Sequence, residues 1–228
     1  MKYLVVAAHP DDEVLGCGGS IAKWSKDGNN VDVLIMAEGA TSRHRNRDRL
    51  SSQKELSQLS HCAKKAGKIL GISSIDLLDF PDNRMDSVHL LDVVKSIEET
   101  INKKKPDVVI THHSGDLNID HQIVQKAVIV ACRPQPGHSV KRILSFEVQS
   151  ATEWQSPSFG SPFIPNWFEN IENTLPQKLK ALEIYQSEMH PWPHSRSLKA
   201  VKNLARWRGA SIGYKAAEAF MVLRNIKE

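Results

Sequence analysis

The chain of 228 residues has only three cysteines, Cys17, Cys62 and Cys132, and no C-x-x-C pair. So odd and scattered a set excludes a disulfide framework and a cysteine zinc knuckle, and it reads as reduced thiols. No apolar run approaches the roughly 20 residues that a membrane-crossing helix needs. The N-terminus enters a strand without the layout of a signal peptide, so the expected compartment is the cytoplasm, with no membrane insertion. Charge of neither sign dominates: Lys and Arg number 30 against 26 Asp and Glu, a net charge of +4. That balance permits an anionic substrate and does not call for nucleic acid. The glycines at 16, 18 and 19 do not form a G-x-G-x-x-G dinucleotide loop, and no internal repeat or low-complexity tract is present. What remains, 40% hydrophobic and 25% charged, is the composition of a globular protein with one sizeable core.

Strand and helix signals alternate along the chain. This predicts an α/β fold, a Rossmann-like, mostly parallel sheet with helices on both faces, in a single domain over residues 1–228. Short apolar runs place strands at 4–8, 30–36, 75–78, 107–111, 142–148 and 219–223. Helical spacing of apolar positions covers 50–70, where Gly71 is placed to stop it, and 90–101. Further helices are expected at 123–132, at 177–187 and through Trp207, and Ser20 is placed to cap a first helix that ends at Gly28. From 150 to 173 the character changes, with Pro157, Pro162 and Pro165 among Trp154, Phe159, Phe163, Trp167 and Phe168. Residues 150–195 thus read as a lid packed by its own aromatics or as a subunit contact.

Chemistry concentrates after the first strand, where His9, Asp11 and Asp12 arrive together around Pro10. Ligands of open α/β sheets sit outside the carboxyl ends of the strands, so this is where a site is expected. An Asp-Asp pair after a strand is ordinarily just a capped turn. Here it is followed by Glu13 and a glycine-rich turn, and a second cluster, 112–121, follows the fourth strand with His112, His113, Asp120 and His121.

The string His9-Pro10-Asp11-Asp12-Glu13, with Gly16, Cys17, Gly18 and Gly19 behind it, resembles the signature of the LmbE-like, or PIG-L, family of zinc-dependent N-acetyl-sugar deacetylases. Residues 77–86, 114–121 and 205–210 are also similar to that family, so the likeness spans nearly the whole chain. It implies one Zn²⁺ held by His9, Asp12 and His121, a ligand set that does not exclude Fe²⁺. It implies Asp11 as the base, and Asp120 as a group that orients a ligand from behind. Some relatives place a His three residues before the third ligand; here Asn118 stands there, able to donate a hydrogen bond to an oxyanion but not a proton. His194 resembles a C-terminal His of other members and is the candidate acid, with His112 and His113 as alternatives. Asp82 matches a loop near the sugar hydroxyls.

Four arginines in seven residues, Arg43 to Arg49, are either a solvated loop or a rim that holds phosphate or carboxylate, and Arg43 and Arg196 are the candidate contacts. The resemblance implies metal-dependent hydrolysis of the N-acetyl amide of an amino-sugar derivative, free or nucleotide-linked, such as a surface-glycan precursor. It also implies a homo-oligomer, trimer or hexamer. Two competing functions are a zinc amidohydrolase or esterase acting on a non-sugar acyl group, and a non-catalytic sugar- or nucleotide-binding module.

Overall fold

The computed structural model describes residues 1–43 and 45–227. Its strands are β1 (Lys2–Ala7), β2 (Asn30–Ala37), β3 (Ser74–Phe80), β4 (Val108–His112), β5 (Arg142–Phe146), β6 (Trp167–Asn170) and β7 (Ala217–Asn225). The α-helices are α1 (Asp12–Lys26), α2 (Gln53–Leu70), α3 (Leu90–Lys104), α4 (Ile119–Ala131), α5 (Leu175–Ile184) and α6 (Leu198–Ala210). One sheet runs in the order β3-β2-β1-β4-β5-β7-β6. Its first five strands are parallel, and β7 joins β5 and β6 antiparallel.

Both faces are covered, which explains why β1, β2 and β4 are predominantly apolar rather than alternating regularly with polar residues. Along β1, Tyr3 and Val5 pack in the layer that holds residues of α1, α2 and α5, while Leu4 and Val6 pack in the layer of α3 and α4. From β1 the chain moves outward to β2 and β3, then returns to β4 on the other side of β1. At that reversal the helices diverge and leave a crevice outside the carboxyl ends of β1 and β4. Among the described residues, no helix is long and apolar enough to cross a membrane.

Two expectations need correction. The first helix does not begin at Ser20: α1 starts at Asp12 and is broken at Cys17, whose φ of −147° and ψ of 23° are not helical. The break leaves backbone groups without helical partners, and a buried ion pair takes them up. Glu218 accepts from the amides of Gly19 (2.9 Å) and Ser20 (2.6 Å), while Lys178 donates to Glu218 (2.6 Å) and to the Leu15 carbonyl (2.8 Å). Glycine is needed beside the break, since a Cβ on Gly19 would lie 2.7 Å from Ile171 Cδ1. The second correction is β6, an edge strand inside the aromatic segment that carries no strand signal of its own.

Lys178→Met would strip Glu218 of its countercharge while leaving it buried, at a cost of about 3 kcal/mol. Urea unfolding should show the loss as a lower midpoint with an unchanged slope; an unmoved midpoint would mean that the pair does not hold the break.

Candidate active site

The turn after β1 builds one wall of the crevice. Asp11 caps α1 with φ 117° and ψ −28°, a left-handed backbone that is costly for a residue with a Cβ. The turn is held locally because the Asp11 amide donates to Glu13 Oε2 at 3.0 Å. Glu13 Oε1 in turn accepts from the Tyr185 hydroxyl at 2.7 Å, and both residues are fully buried. Burial raises the Glu13 carboxyl to about 7, with the Tyr185 hydrogen bond opposing it.

One step along, the first turn of α1 directs Asp12 toward three imidazoles. Its Oδ2 accepts from the His9 amide (2.9 Å) and lies 3.2 Å from His9 Nδ1, 3.2 Å from His121 Nε2 and 3.6 Å from His112 Nε2. Burial disfavours the Asp12 carboxylate, but His121 and His9 outweigh it and hold its pKa well below the usual range. His121 sits on α4, whose first turn points at the crevice because Asn118 caps it by accepting from the Asp120 amide at 2.9 Å.

Donor atoms of His9, Asp12 and His121 lie within 4.8 Å of one another, so a single cation could be shared among them. Tetrahedral zinc with two nitrogen ligands and one oxygen ligand separates its donors by about 3.3 Å, close to the spacings around Asp12. Each histidine also turns its second nitrogen to a carboxylate, as metal-bound imidazoles ordinarily do. His9 Nε2 is 3.0 Å from Asp120 Oδ2, and His121 Nδ1 is 3.1 Å from Asp116 Oδ1. Those carboxylates are themselves anchored. Asp120 accepts from the amides of Asn83 (2.7 Å) and Met85 (2.9 Å), and Asp116 from the Asn118 amide (2.8 Å) and the Thr152 hydroxyl (2.7 Å).

A second donor group, His9, Asp82 and Asp120, is equally compact. Its carboxylates are already engaged: Asp82 accepts from the amides of Ala40 (2.9 Å) and Ser42 (3.0 Å), and Asp120 is held as above. This group therefore buttresses His9 and the loop after β2. His112 is a structural neighbour of the three-donor cluster, since its Nε2 accepts the Ala8 amide at 2.8 Å and its ring stacks on His121 with centroids 3.9 Å apart. His113 bonds the Ser161 carbonyl at 2.7 Å, outside the crevice.

The pocket over this cluster has a volume of about 140 Å³. Asp11, Asp82, Asn118, Arg43 and Arg196 all line it, as do Ser42, Asn83 and Glu188. Burial pushes the Asp11 carboxyl well above the ordinary carboxylate range, against the pull of Arg196, whose Nη1 is 3.1 Å from Asp11 Oδ2. Arg43 is bound to Glu188 at 2.7 and 2.8 Å. Within the arginine-rich run, Arg47 and Arg49 are both paired with Glu38, so much of its charge is neutralised on the spot. His194 is not part of the lining: its ring lies against those of His190 (4.3 Å) and Trp154 (5.5 Å), and its Nδ1 accepts from the Arg196 amide.

A model of the family described as PIG-L, GlcNAc-PI de-N-acetylase, matches residues 4–132, more than half of the chain. The chain belongs to the PIG-L family. A protein of Escherichia coli strain K12 named as the uncharacterized deacetylase YaiS is 33% identical over 190 residues, covering 81% of this chain and 90% of that one. The diacetylchitobiose deacetylase of Thermococcus kodakarensis is 26% identical over 99% of this chain and 84% of its own. Among solved structures, the N,N'-diacetylchitobiose deacetylase of Pyrococcus horikoshii superposes with a TM-score of 0.77 over 98% of this chain and 84% of its own, at 21% identity, a likeness of fold. In the PIG-L chain described here, sequence reasoning missed Asp116, Glu188 and Tyr185. Asp116 carried a usable signal, an acid in the histidine-rich loop, whereas Glu188 and Tyr185 lie in a helical stretch with no motif.

His121 keeps its proton unusually well: burial opposes the charge, but Asp12 and Asp116 raise its pKa from the usual 6.5 to about 9. A raised imidazolium stabilises the metal-free fold below pH 6.5, and this contribution is lost as pH rises through 9. A cation competes with that proton and with the one that Asp12 and Asp120 help His9 to hold, so zinc affinity should rise by at least about tenfold per pH unit between pH 7 and 8.5. Chelator competition measures it, and a flat profile would contradict a site built on His121.

Proposed function

We propose that this chain hydrolyses the N-acetyl amide of an amino-sugar derivative, releasing acetate and a free amine, with a divalent cation held by His9, Asp12 and His121. The observation that carries the reading is the convergence of those three donors on one point, with a buried, unligated carboxylate, Asp11, on the wall of the same pocket. Family membership supports the bond class, and relatives named as deacetylases of diacetylchitobiose support a sugar. Zinc is preferred by ligand type alone.

A divalent cation, when bound, supplies the Lewis acidity that makes water a nucleophile near neutral pH. Asp11 takes the proton of that water as it attacks the acetyl carbon, and later returns it to the departing amine. Its raised pKa suits both transfers, since a carboxylate far below neutrality would be too weak a base. Arg196 fixes the carboxylate and offers a positive charge on the oxyanion's side of the pocket. His194 would have to turn inward from the rim to act as the acid, a movement that Asp11 does not need. Asp120 and Asp116 orient the two ligating imidazoles. Asp82, Asn83, Asn118 and Ser42 offer partners for sugar hydroxyls, and Arg43 a partner for a phosphate or carboxylate once Glu188 yields. Residues 150–195 cover the site from the C-terminal side, and their exposed aromatics, Trp154 and Phe159 among them, suit a contact between copies in a trimer or hexamer.

Metal analysis and a panel of N-acetylated sugars and sugar nucleotides, read by released amine and acetate, test the reading together. Asp12→Ala should lose both bound metal and turnover. Asp11→Asn should keep stoichiometric metal while kcat falls by about 10²- to 10⁴-fold. A fully active Asp11→Asn protein would remove the assigned base, and wild type without bound metal would favour a binding module.

A further inference from the structure

We propose that Tyr185 is a positioning residue for Asp11, acting through Glu13. The proposal rests on the deacetylase reading for its kinetic consequence and on geometry for its substance. Asp11 occupies a backbone region that an aspartate adopts only when its surroundings hold it there, with φ 117°. Its carbonyl accepts from the amides of Val14 (3.0 Å) and Leu15 (2.9 Å) in the first turn of α1, and its own amide, on the side where the turn departs from helix, donates to Glu13 Oε2 at 3.0 Å. Glu13 is fixed at its other oxygen by the Tyr185 hydroxyl at 2.7 Å. The three groups form one chain of hydrogen bonds, and each member is almost wholly out of water.

The location of Tyr185 makes it a rigid post. It follows the last turn of α5, its amide bonds the Leu182 carbonyl at 3.0 Å, and its ring is part of the main core layer. A phenylalanine would fill that core equally well. A buried hydroxyl carries a desolvation cost unless it is paired, and the partner it donates to here is the glutamate that grips the turn. Asp11 is held at its opposite end by Arg196. Backbone and carboxylate of the proposed base are thus both set from the C-terminal third of the chain, beyond residues 4–132 that carry the family likeness. Loss of the hydroxyl would free the Glu13 side chain, let the Asp11 turn relax toward ordinary φ, and move the carboxylate away from the reacting water. Small displacements of such groups carry rate penalties of one to two orders of magnitude.

Tyr185→Phe, Glu13→Gln and the double variant, each loaded with zinc, should be assayed on N-acetylglucosamine and N,N'-diacetylchitobiose. Tyr185→Phe is expected to lower kcat about tenfold with KM and bound zinc within about twofold of wild type. The double variant should be no slower than Glu13→Gln alone, because both changes cut the same chain. Wild-type kcat in Tyr185→Phe, a loss confined to KM or to bound zinc, or multiplicative effects in the double variant would each overturn the proposal. Should Tyr185→Phe not fold, Glu13→Gln gives the same kcat and KM reading from the other end. A crystal structure of whichever variant folds tests the tether without any turnover: Asp11 should leave its left-handed φ, and an unmoved Asp11 would overturn the proposal. Absence of amine release by wild type on every sugar would count against the deacetylase reading alone.

Discussion

A single buried carboxylate oxygen, Asp12 Oδ2, is the point on which the architecture converges. It receives a backbone amide and stands within 3.2 Å of two imidazoles more than a hundred residues apart, one just after β1 and the other in the first turn of α4. An anion so deeply placed is tolerable only if positive charge or hydrogen-bond donors surround it closely. The parallel pairing of β1 with β4 meets that demand, since Tyr3 opposite Val108 and Val5 opposite Ile110 bring both strand ends to the same height. From there the remaining geometry follows: α1 must start at Asp12, and α4 must start just ahead of His121.

Around this centre the protein is organised in concentric tiers of alternating sign. Imidazoles surround the Asp12 carboxylate; Asp116, Asp120 and Asp82 surround the imidazoles; and backbone amides from Ala40, Ser42, Asn83, Met85 and Asn118 close the outermost tier. Loops after β2, β3 and β4 are therefore pinned by the same charges that orient the histidines. The rim differs in kind, because there Arg43 is open to solvent and its pairing with Glu188 is correspondingly weaker.

Much of this was legible in the residues alone, for identifiable reasons. Strands buried on both faces write themselves as short, mostly apolar runs, and β1, β2 and β4 read that way despite Asp32 in β2. Helices α2 and α3 are amphipathic, and Gly71 does end α2 with the expected left-handed backbone. The pairing of a first-strand His-x-x-Asp with a distant Asp-His pointed to one pocket, and His9, Asp12 and His121 are together there. Other features were illegible because their cause lies far away in the chain. The early start of α1 depends on a carboxylate two hundred residues downstream, Glu218, taking up the amides at the break. Tyr185 and Glu188 look like ordinary positions of a short helix and its end. β6 pairs along the edge of β7, and its four residues, although Trp167 and Phe168 favour extension, are too few to mark a strand in the sequence by themselves.

The Thr152 hydroxyl bonds the far oxygen of Asp116, whose near oxygen faces His121, and the Gln155 amide caps the Asp116 carbonyl. The loop beyond β5 thus helps to position His121 through Asp116. Loops of this kind are commonly regarded as exchangeable parts, swapped between relatives to change which molecule is accepted. In this protein such an exchange is not modular: a donor loop that lacks a hydroxyl at position 152 would release one oxygen of Asp116 and alter the basicity of the His121 imidazole, coupling any change of selectivity to a change in the donor cluster itself.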